Sequence, residues 1–298
     1  MGLLQDKVMV ITGGSRGLGL AVARAAAAEG ARVVLASRSA DAVDAAVGGL
    51  RAAGHEASGI ACDVSDLGQV EALADFAART YGRFDVWVNN AGYAPPYGPT
   101  MHLAPAAFMR AVQTNIVGTY NGSLVVLRAF LPQGRGKLIN ILGRGADGKP
   151  APLQNGYAAS KAWARSFTLG LTQEYKGAGV GIYAINPGMM TTDFLTDLQA
   201  VSGYEGRLKV MPTIIRMWAR PPEAPAQKVV WLASSATDGK TGLVLSQMGP
   251  AQMLGGALRE GLRRLLRRPE PPVDMKVAVI PAALPLPNRR GPAFGEKW

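Results

Sequence analysis

The sequence predicts an α/β fold built as a doubly wound parallel sheet in a three-layer α/β/α arrangement, and three observations predict it. Short apolar strands alternate with helical stretches through most of the 298 residues. The strands are apolar throughout, as expected when helices cover both faces of a sheet. A glycine-rich turn, Thr12-Gly13-Gly14-Ser15-Arg16-Gly17-Leu18-Gly19, joins the first strand to the first helix. Right-handed crossovers then wind the chain out in both directions.

The elements follow in order. Lys7–Ile11 (KVMVI) is the first strand, and the alanine-rich stretch from Gly17 to Glu29 is a helix stopped by Gly30. Ala31–Ala36 is a strand, Asp41–Ala53 a helix and Ala57–Ala61 a weak third strand. Asp66 is the candidate N-cap of a helix to Tyr81. Asp85–Asn89 is the fourth strand, and Pro105–Leu131 reads as one long helix ended by Pro132. Lys137–Leu142 is a strand, Asn155–Lys176 a helix and Val180–Asn186 a strand. Pro222–Ser234 is a helix and Gly242–Ser246 the last strand. The region 190–221 has no clean period, and a long irregular insert after a strand end reads as a lid over a pocket. The domain so defined spans 1–249, with a C-terminal extension over 250–298.

An apolar fraction of 48% and a charged fraction of 18% suit a globular protein with a substantial core. Cys62 is the only cysteine, which rules out an internal disulfide and points to a reducing, cytoplasmic compartment. The N-terminus has no signal-peptide pattern, and no apolar run is long enough for a membrane span. The net charge of +11 is uneven, with five arginines between Arg259 and Arg268. That concentration in the tail argues against a basic groove, so no nucleic-acid partner is expected. His55 and His102 sit in no ligand pattern, and no metal is assigned.

Gly13 permits a tight turn, Gly17 a close approach to a pyrophosphate, and Gly19 close packing of helix on strand. The helix N-terminus adds free N–H groups and partial positive charge. Together these point to a dinucleotide. An NAD site calls for an acid at the end of the second strand, where this chain has Ser37-Arg38. Arg38, with Arg16, can pair with a 2′-phosphate, so the cofactor reads as NADP(H) rather than NAD(H).

With these features the chain resembles the short-chain dehydrogenase/reductase family over roughly Leu4 to Met248, which implies a Rossmann-type fold and a homodimer or homotetramer. TGGSRGLG is similar to that family's TGxxxGxG turn, with Thr12, Ser15 and Leu18 in the cofactor-binding segment. Asp63-Val64 resembles the pair whose Asp meets the adenine amino group. Asn89-Asn90-Ala91-Gly92 resembles NNAG, which supports nucleotide and sheet. Asn115 matches the helix asparagine that holds a water in the proton relay. Pro187-Gly188 with Thr191-Thr192 matches the segment that contacts the nicotinamide carboxamide.

Tyr157 and Lys161 match the family's YxxxK, and four residues apart on a helix they share a face. A neighbouring ammonium favours the phenolate. Tyr157 then exchanges the proton with a carbonyl or alcohol substrate, and the resemblance places Lys161 on the nicotinamide ribose. The family usually carries a serine just beyond the fifth strand to polarise the carbonyl. This chain reads Asn140-Ile141-Leu142-Gly143, with no Ser or Thr between Asn140 and Ala159. Three readings stand open. Another donor replaces the serine, such as Arg144, Gln154, Asn155 or a backbone N–H; the substrate needs only Tyr157; or the protein binds cofactor with little turnover in a regulatory or scaffold role, with dehydratase or lyase-type chemistry on the same scaffold as a further alternative. Arg144 either faces the substrate or lies in solvent beside Asp147. Tyr93 and Tyr97 either line the substrate pocket or cap the sheet edge.

Past the last strand, Leu254, Leu258, Leu262, Leu265 and Leu266 recur at helical spacing among arginines. This basic amphipathic helix docks on the enzyme or another subunit, or makes peripheral contact with an anionic bilayer. Docking is the preferred expectation, because leucine stripes usually face protein. Pro269–Phe294 is Pro-rich and read as extended, wrapping or disordered.

Overall fold

The computed structural model describes residues 2–284. β1 (Val8–Thr12) enters the glycine turn and α1 (Gly17–Ala28) leaves it. β2 (Arg32–Ser37), α2 (Ala40–Ala52), β3 (Ala57–Ala61), α3 (Leu67–Tyr81) and β4 (Val86–Asn89) continue the alternation. α4 (Pro105–Ala111), a π-helical segment (Val112–Val117) and α5 (Gly118–Phe130) run end to end, followed by β5 (Lys137–Ile141), α6 (Asn155–Glu174) and β6 (Gly181–Asn186). The region expected to be a lid holds α7 (Asp193–Thr196), β7 (Asp197–Val201) and α8 (Met211–Trp218). α9 (Glu223–Ala233), β8 (Val244–Ser246), α10 (Pro250–Leu265) and β9 (Lys276–Ile280) follow.

Seven parallel strands form one sheet in the order β3-β2-β1-β4-β5-β6-β8, the doubly wound sheet that the sequence predicts. Strand alternation sorts the core. Met9, Ile11, Leu35 and Ile139 face α1, α2 and α9, while Val8, Val10, Trp87 and Leu138 face α3, α5 and α6. Full burial of a side chain of this size stabilises the fold by about 1.5–3 kcal/mol. The alanines of α1 are small enough to let it lie close to α9. Asp66 caps α3 as expected, accepting from the Gln69 N–H at 3.2 Å. A buried polar chain ties sheet to helices: Trp87 Nε1 donates to Asn89 Oδ1, Asn89 Nδ2 to Asn140 Oδ1, and Asn140 Nδ2 to Thr168 Oγ1, each at 2.9 Å. Strand order reverses between β1 and β4, which opens a crevice at their carboxyl ends.

The structure departs from the sequence reading in three places. The single helix expected over 105–131 is interrupted by the π-helical turn, whose wider ladder carries Asn115. The region 190–221, expected to be irregular, holds a strand: β7 pairs in parallel with β9, from Asp197↔Lys276 to Val201↔Ile280, so the Pro-rich tail is extended there, one of its expected forms. The rest of that tail, from residue 285, lies outside the described residues. α10 docks on this chain, as expected, but not by its leucine stripe. α10 docks on α8 by its opposite face, leaving Leu254, Leu258, Leu262 and Leu265 between 56% and 78% exposed.

Candidate active site

α6 puts Tyr157 and Lys161 on one buried face at the carboxyl edge of β5. The helix periodicity brings the Lys161 ammonium 5.8 Å from the Tyr157 ring centroid. Lys161 Nζ donates to the Ile141 carbonyl at 3.0 Å. Burial pushes the Tyr157 phenol above its ordinary range, and nearby Tyr97 adds to the effect. Burial pulls the Lys161 ammonium down to about 8. Gly143 lies against both: a Cβ there would stand 2.3 Å from Tyr157 Oη and 3.3 Å from Lys161 Cγ.

Asn115 is fully buried and fastens the other side. The Tyr93 N–H donates to its Oδ1 at 2.8 Å, while its Nδ2 donates to Tyr93 O and Ser160 Oγ, both at 2.9 Å. Ser160 in turn donates to the Tyr157 carbonyl at 2.6 Å. Sequence reasoning missed Ser160; its only signal was a place three residues beyond Tyr157 on the same helix. The Arg110 guanidinium stacks 4.3 Å above the Tyr93 ring. Asn115 Oδ1 and Lys161 Nζ both border the space beside Gly92, 3.7 and 3.8 Å from where a side chain there would begin.

The glycine turn lies at the neighbouring strand end. Asn90 Nδ2 donates to the Thr12 and Gly13 carbonyls at 2.9 and 3.0 Å, and the Asn90 and Ala91 N–H groups donate to Thr12 Oγ1. Gly13 and Gly17 take positive φ, +63° and +55°. A Cβ at Gly17 would meet only Thr192, at 3.7 Å, so this position faces open space between turn and lid. At Gly19 a Cβ would come within 2.2 Å of the Gly13 carbonyl, which explains the third glycine. α1 begins with no side-chain cap and no acid in its first turn, so its leading N–H groups are open to an anion. Arg38 is exposed beside Ser37, and among the described residues it has no ion-pair partner. Arg16 is exposed and 3.8 Å from Asp193 of α7, so it also links turn to lid. Asp63 accepts from the Ser65 N–H and hydroxyl beside buried Val64. Pro187 is buried, and the Gly188 N–H donates to Asn186 Oδ1 at 3.1 Å. These open N–H groups, the cradle at Gly17 and the two exposed arginines fit a dinucleotide phosphate.

Not every expected pocket residue converges on Tyr157. Asn155 begins α6 with its side chain exposed. Arg144 does not pair with Asp147, which takes Lys149 at 3.5 Å instead. The Arg144 guanidinium lies beside the Tyr97 phenol, which burial holds above its ordinary range while Arg144 pulls the other way. Tyr97 is itself pinned by β7, its N–H donating to Gln199 O at 2.7 Å and its carbonyl accepting from the Val201 N–H at 2.8 Å. Phe194 stands 5.7 Å from the Tyr157 ring, centroid to centroid. A separate cleft of about 520 Å³, lined by Lys7, Asp85, Lys137 and Lys240, opens at the opposite strand edge. Among the described residues no cluster of three His, Cys, Asp or Glu could hold a metal ion.

Three comparisons bear on this arrangement. The family model for short chain dehydrogenases matches residues 7–202. A cis-4-hydroxycyclohexanecarboxylate dehydrogenase of Sinomonas cyclohexanicum is 33% identical over 245 residues, 82% of this chain and 96% of its own. Among solved structures, an actinorhodin polyketide ketoreductase variant with NADPH matches with a TM-score of 0.73 at 29% identity, over 84% of this chain and 97% of its own. A 3-ketoacyl-(acyl-carrier-protein) reductase from Brucella melitensis with NADH matches with a TM-score of 0.74 at 28% identity, over 84% and 99%.

Proposed function

The chain belongs to the short-chain dehydrogenase family, and from that premise we propose that it reduces a ketone to a secondary alcohol with NADPH, Tyr157 donating the proton. The coarser activity, NAD(P)-dependent oxidoreduction, follows from the family and its nicotinamide-bound neighbours. The observation that carries the finer reading is the buried Tyr157–Lys161 pair beside an open glycine turn.

A bound nicotinamide supplies the hydride. Tyr157, whose proton is held more tightly than usual, stays a neutral donor through the physiological range. Lys161 is charged at neutrality and offsets the anion left on Tyr157 as its proton departs. Asn115 positions Tyr93 and, through Ser160, the turn of α6 that carries Tyr157. In place of the family serine, the Tyr97 phenol beside Arg144 is the second polar group facing the carbonyl. The reading includes Thr12–Gly19, Asp63, Val64, Asn90–Gly92, Pro187, Gly188 and Thr192 as the cofactor cradle, with Arg16 and Arg38 on a 2′-phosphate. Neighbours solved with NADPH and with NADH leave that preference to Arg38. A homo-oligomer through α4, α5 and α6 belongs to the same proposal, supported by exposed Phe108, Met109 and Tyr120. So does a cytoplasmic site of action, in keeping with the buried, unpaired Cys62.

NADPH titration followed by turnover on a panel of ketones tests the reading. Tyr157→Phe should keep NADPH binding and lose about 10²-fold or more in kcat. Undiminished turnover in that variant overturns the mechanism. Tight NADPH binding with no turnover on any ketone favours a second reading, a cofactor-binding protein of low activity, motivated by the absence of Ser or Thr between Asn140 and Ala159. Arg38→Asp should weaken NADPH more than NADH, and an equal loss overturns the cofactor assignment.

A further inference from the structure

We propose that α10 is a peripheral membrane contact, lying along an anionic lipid surface with its leucine face in the acyl boundary. The helix has two opposite faces with opposite fates. One is fixed to the lid. Gly256 lies so close to α8 that a Cβ there would stand 2.3 Å from the Met217 carbonyl, and Trp218 Nε1 donates to the Met253 carbonyl at 3.1 Å. Glu260 is buried between the elements, accepting from Arg263 at 2.7 Å and Arg264 at 3.1 Å, with Arg216 of α8 at 3.9 Å. Rolling the helix to hide its leucines would tear this network open.

The other face is apolar and open. Leu254, Leu258, Leu262 and Leu265 follow at steps of four, four and three, one stripe along the helix, and each is more than half exposed. Charge selects the occupant. Arg267 and Arg268 are exposed at the end of the stripe, Arg259 and Arg264 are exposed while also bonding the Met217 carbonyl and Glu260, and the helix's one acid, Glu260, is buried and already bonded. A second copy of α10 laid on the first would face arginine with arginine and find no exposed acid on that helix. Lipid phosphates supply the missing negative charge, and the acyl boundary receives the leucines, the combination that holds basic amphipathic helices at an interface.

Vesicle flotation of the full chain tests this, with phosphatidylcholine alone and with equal parts phosphatidylcholine and phosphatidylglycerol, at low and high salt. The chain should float with the anionic vesicles at low salt and weakly or not at all with neutral ones. The double variant Leu258→Glu/Leu262→Glu should lower that partitioning about tenfold or more. Arg267→Glu/Arg268→Glu should also weaken it and flatten the salt dependence. Both variants alter exposed side chains, so thermal melting and ketone turnover serve as controls for folding. No flotation at low salt overturns the proposal, as does equal flotation of wild type and the leucine variant. A concentration-dependent dimer in sedimentation, abolished by the leucine variant and accompanied by no vesicle binding, assigns the face to a second copy instead. Absence of both vesicle binding and dimer overturns it as well.

Discussion

A methyl group at position 143 would stand 2.3 Å from the Tyr157 hydroxyl, well inside contact distance. Gly143→Ala is therefore expected to displace the phenol and lower kcat by about 10²-fold, with NADPH affinity little changed. Gly143→Ser should lose activity as well, although it restores the residue type common in the family. A steady-state assay of both variants decides this, and a gain in turnover by the serine variant would refute the packing argument. Lys161 gives a second expectation. In the reduction, kcat/KM should hold from neutrality to about 8 and fall above it as the ammonium loses its proton. Lys161→Arg should carry that break to higher pH. The sign for stability is the reverse of an ion pair's: between about 8 and 10.5 the unfolded chain holds this proton more firmly, so folding gains as pH rises through that window. At this scale the sequence was informative where chemistry follows local spacing, as with Tyr157 and Lys161. It was uninformative about Arg144, whose neighbour Tyr97 lies 47 residues earlier and is oriented by a lid strand.

The π-helical turn between α4 and α5 shows why an element can be legible while its interior is not. A helical period survives one wide turn, so Pro105–Leu131 read as continuous. The widening matters because it carries Asn115, which has three polar contacts beyond its own helix. Asn115→Ala leaves the half-buried Tyr93 N–H and carbonyl without their side-chain partner. A stability loss of about 1–3 kcal/mol is expected, and a thermal melt unchanged from wild type would count against this positioning role. β7 was hidden for another reason. Five residues, Asp197–Val201, become a strand by pairing with Lys276–Ile280, and no local pattern encodes a partner that distant. The leucine stripe was legible as an amphipathic helix, but periodicity does not say which face meets protein. Buried Glu260 settles that, with its carboxyl held down to about 2 chiefly by its bond to Arg263. This stabilising term is present above the ordinary glutamate value and is lost as pH falls toward about 2.

Across the whole molecule, the doubly wound sheet and the glycine turn followed from alternation and placement, whereas the strand order and the pairing of region 190–221 with the tail did not. The region 190–221 is held at three levels: by Arg220 and Met189–Thr191 at its base, by β9 alongside β7, and by α10 against α8. Removing residues 276–298 should leave NADPH affinity nearly unchanged while raising KM for the ketone. Limited proteolysis should then cut within 197–210, and should leave that region intact in the full chain. Equal damage to cofactor and substrate binding would contradict this division of the fold.

The parallel pairing of β7 with β9 also sets a timetable. Asp197 leaves the ribosome 79 residues ahead of its partner Lys276. By then every strand of the large sheet, through Ser246, has been made, and domains tend to fold as their residues emerge. The nascent protein thus holds its glycine turn and its Tyr157–Lys161 pair before β7 can pair with β9. For that interval the glycine turn stands complete while the strand that holds Tyr97 still lacks its neighbour, and the order is written into the chain by where one short strand finds its mate.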